Sequence, residues 1–187
     1  MSLTAIAYFA VSLTQCRQVY EMRETIIVST AQTLIQSLQV RIDRLESRDA
    51  IRDLSFEYCH GFDKRDFDRF LAIWWEDCVW DIGPPFGRFV GYAGIHEAIH
   101  DVLWPAWKES HHLTSNNHIR FESADRARSV CDVDCVGVLA GEEVCQIVGA
   151  TYTDLLERRD GVWKIAHRSV VIHYFNPVPG TVLKPPQ

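Results

Sequence analysis

The strongest constraint on the fold is the C-terminal half of the chain, which consists of four long extended segments joined by short turns. One turn contains Asp160-Gly161, and Asp-Gly between extended runs is a strong hairpin signal. Three helical segments precede the strands. Helices followed by a long antiparallel meander indicate an α+β fold, in which a curved sheet wrapped around the helices would leave a pocket between the two layers. The predicted strands cover residues 112–122, 127–140, 144–159 and 162–174, and the predicted helices cover residues 25–62, 66–75 and 95–107.

The first helical segment carries two candidate site residues. Its apolar side chains recur every three or four residues, Asp49 is suited to cap a second helix within it, and Gly61 loosens its far end. No heptad pattern is recognised in it. Tyr58 lies within the apolar stripe, where its hydroxyl needs a partner. Asp63 follows at the edge of the stripe, and it either has a cationic or hydrogen-bonding partner or is solvated in a polar turn.

A short histidine-rich stretch at residues 107–118, W-K-E-S-H-H-L-T-S-N-N-H, lies between the third helix and the first long strand. Alternate side chains of a strand point to opposite faces, so His111 and His112 must diverge. We expect His112 to face the cavity. In the alternative interpretation, both are ordinary surface or capping histidines. The face predicted for His112 also carries Ser110, Thr114 and Asn116.

Composition argues against several classes of protein. The chain has 187 residues, of which 47% are hydrophobic, and this fits a single soluble globular domain. Its formal net charge of −6 argues against a nucleic-acid partner, because phosphate binding needs a basic patch. Its six cysteines form no C-x-x-C pair, so we interpret them as reduced thiols of a cytoplasmic protein and expect no metal site.

The two ends of the chain differ from the middle. The apolar run at residues 3–13 is too short to cross a membrane and lacks the basic region of a signal peptide, so we expect no membrane partner. We interpret residues 1–38 as an N-terminal extension, either helical or disordered. Residues 39–176 are predicted to form the domain, and residues 177–187, with four prolines, an irregular C-terminal tail.

Several short motifs together resemble one known family. From about residue 42 to the C-terminus, the chain resembles the hexachlorocyclohexane dehydrochlorinases, in the SnoaL-like branch of the nuclear transport factor 2-like (NTF2-like) superfamily. Relatives in that superfamily include scytalone dehydratase and bile-acid 7α-dehydratase. The resemblance implies an NTF2-like cone, in which a curved, mostly antiparallel sheet encloses a pocket capped by the N-terminal helices. It also implies catalysis without a cofactor and a homotrimer. The motifs are G-F-D-K-R at 61–65, I-W-W-E-D at 73–77, V-L-W-P at 102–105, E-S-H-H at 109–112, S-A-D at 123–125, E-R-R-D-G-V-W-K at 157–164 and Y-F-x-P at 174–177.

The resemblance also implies roles for individual residues. The histidine base of the family falls on His112, its aspartate on Asp63 and its arginine on Arg168. A lysine that the dehydrochlorinases carry five residues before the aspartate is replaced here by Tyr58. Bile-acid 7α-dehydratase has the same spacing from tyrosine to aspartate. This departure from the dehydrochlorinase pattern concerns the group that would assist the departing chloride.

A pocket for a small substrate is expected between the helices and the sheet. At the place where the dehydratase has a further acidic residue, Cys135 takes the inward position and Asp134 is its neighbour. The residues predicted to line the pocket are Trp80, Leu103, Trp107, Ser110, Val133, Cys135, Val148 and Tyr152.

These residue types fit an elimination. A neutral imidazole accepts a proton near pH 7, a buried carboxylate orients it, and a tyrosine or arginine supports developing negative charge. We therefore expect a lyase, either a dehydratase or a dehydrochlorinase-like enzyme, that acts on a small cyclic, largely apolar substrate. Two alternatives stay open: an isomerase or cyclase that forms an enolate, and a non-catalytic ligand-binding domain like the small subunit of a ring-hydroxylating dioxygenase. Arg168 could instead pair with a surface carboxylate, and Tyr58 could be a plain core residue.

Overall fold

The computed structural model describes residues 3–179, with the side chains of residues 17, 18 and 20–179. Contacts along the chain divide it into two units, Met1–Glu46 and Ser47–Gln187. The boundary expected from the sequence lies slightly earlier, between residues 38 and 39. The last strand runs to Val178, so it includes the first residues of the predicted tail, and residues 180–187 of that tail lie outside the described part.

One uninterrupted helix, α1, spans Leu3–Asp63. No glycine or proline occurs between residues 3 and 60, so nothing in the backbone interrupts the hydrogen-bond ladder. The helix start predicted at Asp49 is therefore wrong: the Asp49 carboxylate accepts a hydrogen bond from the Arg52 side chain at 3.3 Å instead of capping a new helix. In the second unit, the buried side chains of α1 are Ser47, Ile51, Ser55, Tyr58, Cys59 and Phe62.

A short second helix, α2, covers Phe67–Ala72, and the Asp66 carboxylate caps it by accepting from the Arg69 backbone N–H at 3.1 Å. The predicted extension of this helix to residue 75 is wrong, because Trp74 already begins a strand. Gly61 has a different role from the one expected. A Cβ there would lie 2.8 Å from the Phe70 backbone nitrogen, so Gly61 allows α2 to approach α1 closely.

A six-stranded sheet forms the other layer, in the order β2-β1-β6-β5-β4-β3. Neighbouring strands are antiparallel except β1 and β6, which run parallel. The predicted α+β fold with a curved, mostly antiparallel sheet is confirmed. The strands are β1 (Trp74–Gly83), β2 (Gly87–Val90), β3 (Trp107–Phe121), β4 (Arg126–Leu139), β5 (Cys145–Arg159) and β6 (Val162–Val178).

The segment between β2 and β3 is helical but irregular. It comprises α3 (Gly91–Glu97), a π-helical segment (Ala98–Leu103) and the single turn α4 (Trp104–Ala106). The helix predicted for residues 95–107 therefore begins earlier than expected and changes its hydrogen-bond pattern midway. It ends at Ala106, one residue after Pro105, and Trp107 begins β3.

Strand β3 follows the predicted alternation along most of its length. Ser110 is buried and the His112 side chain largely buried, whereas His111 is exposed. The alternation fails at Asn116, which has a φ of 56° in an irregularity between Ser115 and His118. Its side chain donates to the exposed Asp132 at 3.3 Å, so the prediction that Asn116 shares the inward face is wrong.

Most of the core lies between the helices and the inward face of the sheet, and it is rich in aromatic rings. Trp74, Trp80 and Phe70 are at most 1% exposed and pack with ring centroids 5.4–6.0 Å apart. Within residues 3–179, no helix is long and apolar enough to cross a membrane.

We expect Gly61→Ala to destabilise the protein although alanine is the better helix former. A methyl group at residue 61 would collide with the backbone of Phe70, and the overpacking cost of about 1–3 kcal/mol exceeds the gain in helix propensity of about 1 kcal/mol. Urea denaturation measures the difference. His60→Ala, at the exposed neighbouring position, is the control and should change stability by less than about 0.5 kcal/mol. Equal stability of the two variants would contradict this interpretation.

Candidate active site

The centre of the candidate site is the Asp63 carboxylate at the end of α1, which accepts three hydrogen bonds from β3. The Ser110 hydroxyl donates at 2.8 Å, and the His112 backbone N–H and ring Nδ1 donate at 2.7 Å each. The side chains of Asp63 and His112 are only 8% and 9% exposed. The predicted hydrogen bond between Asp63 and His112 is thus present.

The surroundings of Asp63 keep it ionised. Burial by itself raises the pKa of this carboxyl group, but the side chain and backbone of His112 and the hydroxyl of Ser110 outweigh burial and hold the pKa below its ordinary value. A carboxylate only accepts hydrogen bonds, so Nδ1 of His112 must carry the shared proton. The lone pair of Nε2 is then the basic site of the imidazole.

Aromatic rings hold the imidazole in one orientation. The Phe62 ring lies 5.0 Å from the His112 ring at an interplanar angle of 74°, and the Tyr58 ring lies 5.9 Å away at 90°. Both rings approach edge to face, which is a favourable arrangement for aromatic pairs. Because Asp63 already bonds Nδ1, these contacts leave His112 little freedom to rotate, and His112 forms part of the cavity wall.

The cavity beside His112 is mostly apolar and has a volume of about 80 Å³. A single water molecule needs roughly 10–15 Å³, so the cavity has room for a small molecule. Of the predicted pocket residues, Ser110 is not part of the wall, because its hydroxyl is directed to Asp63. The others line the cavity: Trp80, Leu103, Trp107, Val133, Cys135, Val148 and Tyr152.

Sequence reasoning missed seven further wall residues, all apolar. Three of them lie on β6, and one of these, Phe175, lies beyond the predicted strand end at residue 174. The alternation of β-branched and aromatic side chains along β6 could have identified these three residues. The inward-facing positions, however, change between even and odd numbers at irregularities in the strand. The missed residues are Phe62, Ile82, Phe86, Ala150, Val170, Ile172 and Phe175.

Two tyrosine hydroxyls meet in the buried wall of the cavity. The Tyr152 hydroxyl donates to the Tyr58 hydroxyl at 3.5 Å, and both side chains are less than 5% exposed. Burial raises the pKa of Tyr58 well above its ordinary value, and the nearby Arg168 charge offsets only part of that increase. Tyr58 is therefore protonated at neutral pH and can donate a hydrogen bond into the cavity.

Arg168 lies behind these tyrosines and is fully buried. Its Nε and Nη2 each donate to the buried carboxylate of Asp154 at 2.8 Å, and the two residues are direct partners across β5 and β6. The guanidinium carbon lies 4.4 Å from the ring centroid of Tyr58 and 4.3 Å from that of Tyr152. The alternative of a surface ion pair is thus wrong, because the partner carboxylate is buried.

The charge of Arg168 is balanced before any ligand binds. Its side chain is not part of the cavity wall, although Nη1 has no hydrogen-bond partner among the described residues. Sequence reasoning missed Asp154. It occupies an inward position of β5 with the same parity as Tyr152, and a charged residue at such a position needs a buried partner.

The thiol on the cavity wall is not a strong nucleophile. Burial raises the pKa of Cys135 to about 12, so the thiol is neutral at physiological pH. The neighbouring Asp134 is exposed and accepts from the Tyr174 hydroxyl at 2.7 Å, outside the cavity. Because Asp134 points away from the cavity, Asp63 is the one carboxylate among the described residues that contacts His112.

Comparison with known proteins agrees with the fold. A family model described as a SnoaL-like domain matches residues 43–169. Hexachlorocyclohexane dehydrochlorinase 1 of Sphingobium indicum is 39% identical over 145 residues, which are 78% of this chain and 94% of that protein. Gamma-hexachlorocyclohexane dehydrochlorinase of Sphingobium indicum is 38% identical over 78% of this chain and 92% of its own length. The prediction of an enzyme is confirmed by these relatives, which are named as dehydrochlorinases.

Solved structures give the same result. The crystal structure of LinA is 37% identical, covers 79% of this chain and 99% of its own, and has a TM-score of 0.75. A scytalone dehydratase-like protein from Novosphingobium aromaticivorans, 22% identical over 78% of this chain and 96% of its own, shares the fold with a TM-score of 0.67. The chain belongs to the SnoaL-like domain family, close to the hexachlorocyclohexane dehydrochlorinases.

Proposed function

We propose that this protein is a cofactor-independent lyase that removes a leaving group from a small cyclic, largely apolar substrate. The observation that carries this proposal is the Asp63–His112 pair, with a 2.7 Å hydrogen bond, at the wall of an apolar cavity. A purely ligand-binding domain has no need for a buried, ionised carboxylate that orients an imidazole. The pair therefore favours catalysis over the non-catalytic alternative.

In the proposed reaction, Nε2 of His112 removes a proton from the carbon next to the one that bears the leaving group. The C–H electrons form the new double bond, and the leaving group departs with the electrons of its own bond. Asp63 stabilises the imidazolium that forms and holds the ring in the required tautomer. The imidazolium then returns its proton to solvent, and the base is restored.

The group that assists departure is Tyr58. Hydroxide leaves poorly unless it receives a proton, whereas chloride leaves as an anion and needs only positive charge or hydrogen bonds. The tyrosine is protonated, and its side chain is part of the cavity wall. Water has a pKa of about 15.7, so a departing hydroxide is basic enough to take the Tyr58 proton although burial has weakened that acid. The Arg168 guanidinium carbon lies 4.4 Å from the Tyr58 ring centroid, so its positive charge would stabilise the tyrosinate.

The electrostatics favour a hydroxyl over a halide as leaving group. The nearest cation, Arg168, is neutralised by Asp154 and is not part of the wall. The lysine that the dehydrochlorinases carry near this position is absent, because Tyr58 takes its place. A departing chloride would therefore meet hydrogen-bond donors but no free cation within the described cavity wall, and dehydration is the reaction we favour.

The base can be tested by mutation. We expect His112→Ala to lower turnover of the substrate by at least about 10³-fold, because no other group on the described cavity wall replaces the imidazole. Asp63→Asn should cause a loss of similar order, because the amide no longer fixes the productive tautomer. Steady-state kinetics on a panel of hydroxylated and chlorinated cyclic compounds gives the measurement. His111→Ala, on the opposite face of the same strand, is the matched control and should keep full activity.

The leaving group can be tested separately through Tyr58. Tyr58→Phe removes only the hydroxyl, so we expect turnover of a hydroxylated substrate to fall by roughly 10–10⁴-fold. The wild type should release little chloride from hexachlorocyclohexane. Tyr174→Phe, which removes an exposed hydroxyl on the outward side, is the control. Rapid chloride release by the wild type, or full dehydratase activity of Tyr58→Phe, would refute the role given to Tyr58.

We further propose that residues 39–176 fold without the N-terminal extension and associate as a homotrimer. The outward side of the sheet exposes Leu113 and Val171 by 66% and 54%, and association would bury such side chains. Sedimentation equilibrium of a chain that lacks residues 1–38 should give three times the mass of one chain. A monomer at micromolar concentration would exclude the trimer, and insoluble protein would contradict the domain boundary.

A further inference from the structure

In the part of the first unit whose side chains are described, α1 has no buried side chain. From residue 20 to residue 46 every side chain of α1 is exposed, including many large apolar ones. Val28 and Leu45 are 64% and 63% exposed, and Ile42 is 52% exposed. Most of the stability of a helix in a protein comes from packing of its apolar face, so a helix of this kind needs a partner.

Six of the apolar residues of this segment follow a heptad repeat. Successive spacings of three and four residues join six side chains without interruption over residues 28–45, which we call the seam. The interpretation that no heptad is present in the first helix is therefore wrong. In heptad notation, the a positions are Val28, Ile35 and Ile42, and the d positions are Ala31, Leu38 and Leu45.

We propose that the seam forms a parallel coiled coil with the same segment of a second copy of this chain. β-Branched residues occupy all three a positions and leucine two of the three d positions, a combination that favours two parallel strands. Three heptads reach the length at which a sustained a/d pattern indicates a coiled coil. A repeat of this kind is self-complementary, because each side chain at a or d packs into the equivalent layer of an identical helix.

The charges next to the seam fit a parallel, in-register pair. Arg41 lies at a g position and Glu46 at the following e position, which face each other across a parallel coiled coil. Arg41 of one chain would therefore meet Glu46 of the partner subunit. Across residues 17–46, four arginines balance four carboxylates, so two copies do not repel each other. An anionic membrane surface would instead call for a basic polar face.

The seam lies almost wholly outside the part of the chain that the family shares. The SnoaL-like match begins at residue 43, and Leu45 is the one seam residue beyond that point. The proposed pairing is therefore a property of this chain's own extension. It does not depend on the reaction of the globular unit.

Disulfide cross-linking tests the proposal in the full chain. In a Cys16→Ser background, Ala31→Cys introduces a thiol at a d position, and a parallel in-register pair brings it against its own copy within the distance a disulfide requires. Thr33→Cys, at the outermost f position two residues away, is the matched control. In a glutathione redox buffer at micromolar protein, we expect the Ala31→Cys variant to form at least about tenfold more disulfide-linked dimer than the Thr33→Cys variant. Only residue 31 meets the distance requirement of a disulfide in a parallel pair.

A second pair of variants tests whether the seam causes the cross-link. Ile35→Asp with Leu38→Asp places charges in two seam layers and should abolish the cross-link at residue 31. Gln36→Asp with Ser37→Asp adds the same charge on the outer face and should leave it in place. An antiparallel pair would place residue 31 near residue 42, so it would not give the cross-link. Equal cross-linking at residues 31 and 33, or insensitivity to Ile35→Asp with Leu38→Asp, would overturn the proposal.

Discussion

The contact on which the site depends joins the end of a helix to the start of a strand. Asp63 is the last residue of α1, and its carboxylate accepts from Ser110 and twice from His112 on β3. A buried carboxylate is costly unless it is hydrogen-bonded, and three donors meet that need here. The same bonds fix the tautomer of His112. Stability and chemistry therefore rest on one set of hydrogen bonds, and small displacements of α1 against β3 affect both.

A second buried pair determines the electrostatic character of the cavity. Arg168 and Asp154 neutralise each other, and the flat guanidinium lies against the rings of Tyr58 and Tyr152. Breaking such a pair is strongly destabilising, because it leaves one buried charge without compensation. The cavity wall therefore contains tyrosine hydroxyls as hydrogen-bond donors, and the Arg168 cation lies behind their rings. The arrangement does not give the cavity an open cationic wall, and this is the physical basis for favouring dehydration over loss of halide.

Local signals predicted the elements that depend on neighbours in the sequence. The alternation along residues 107–115 correctly distinguished His112 from His111, and Asp160-Gly161 correctly marked the last hairpin. The same signals failed where contacts with residues far away in the sequence determine the local structure. Asp49 did not start a helix, Trp74 joined a strand beside β6 instead of a helix, and Gly61 proved to be a point of close approach. The heptad at residues 28–45 was readable in the sequence but was not recognised there.

The sequence by itself determined the α+β fold, the inward position of His112 and the resemblance that singled out Asp63, because periodicity and motifs are local properties of the chain. Only the tertiary structure decided which partners these residues have. Ser110 contacts Asp63 instead of lining the cavity, and Asp154 neutralises Arg168. These outcomes depend on the register of β3 and β6 against residues far away in the chain. Register is a consequence of packing and hydrogen bonding across the whole sheet, which no single segment encodes.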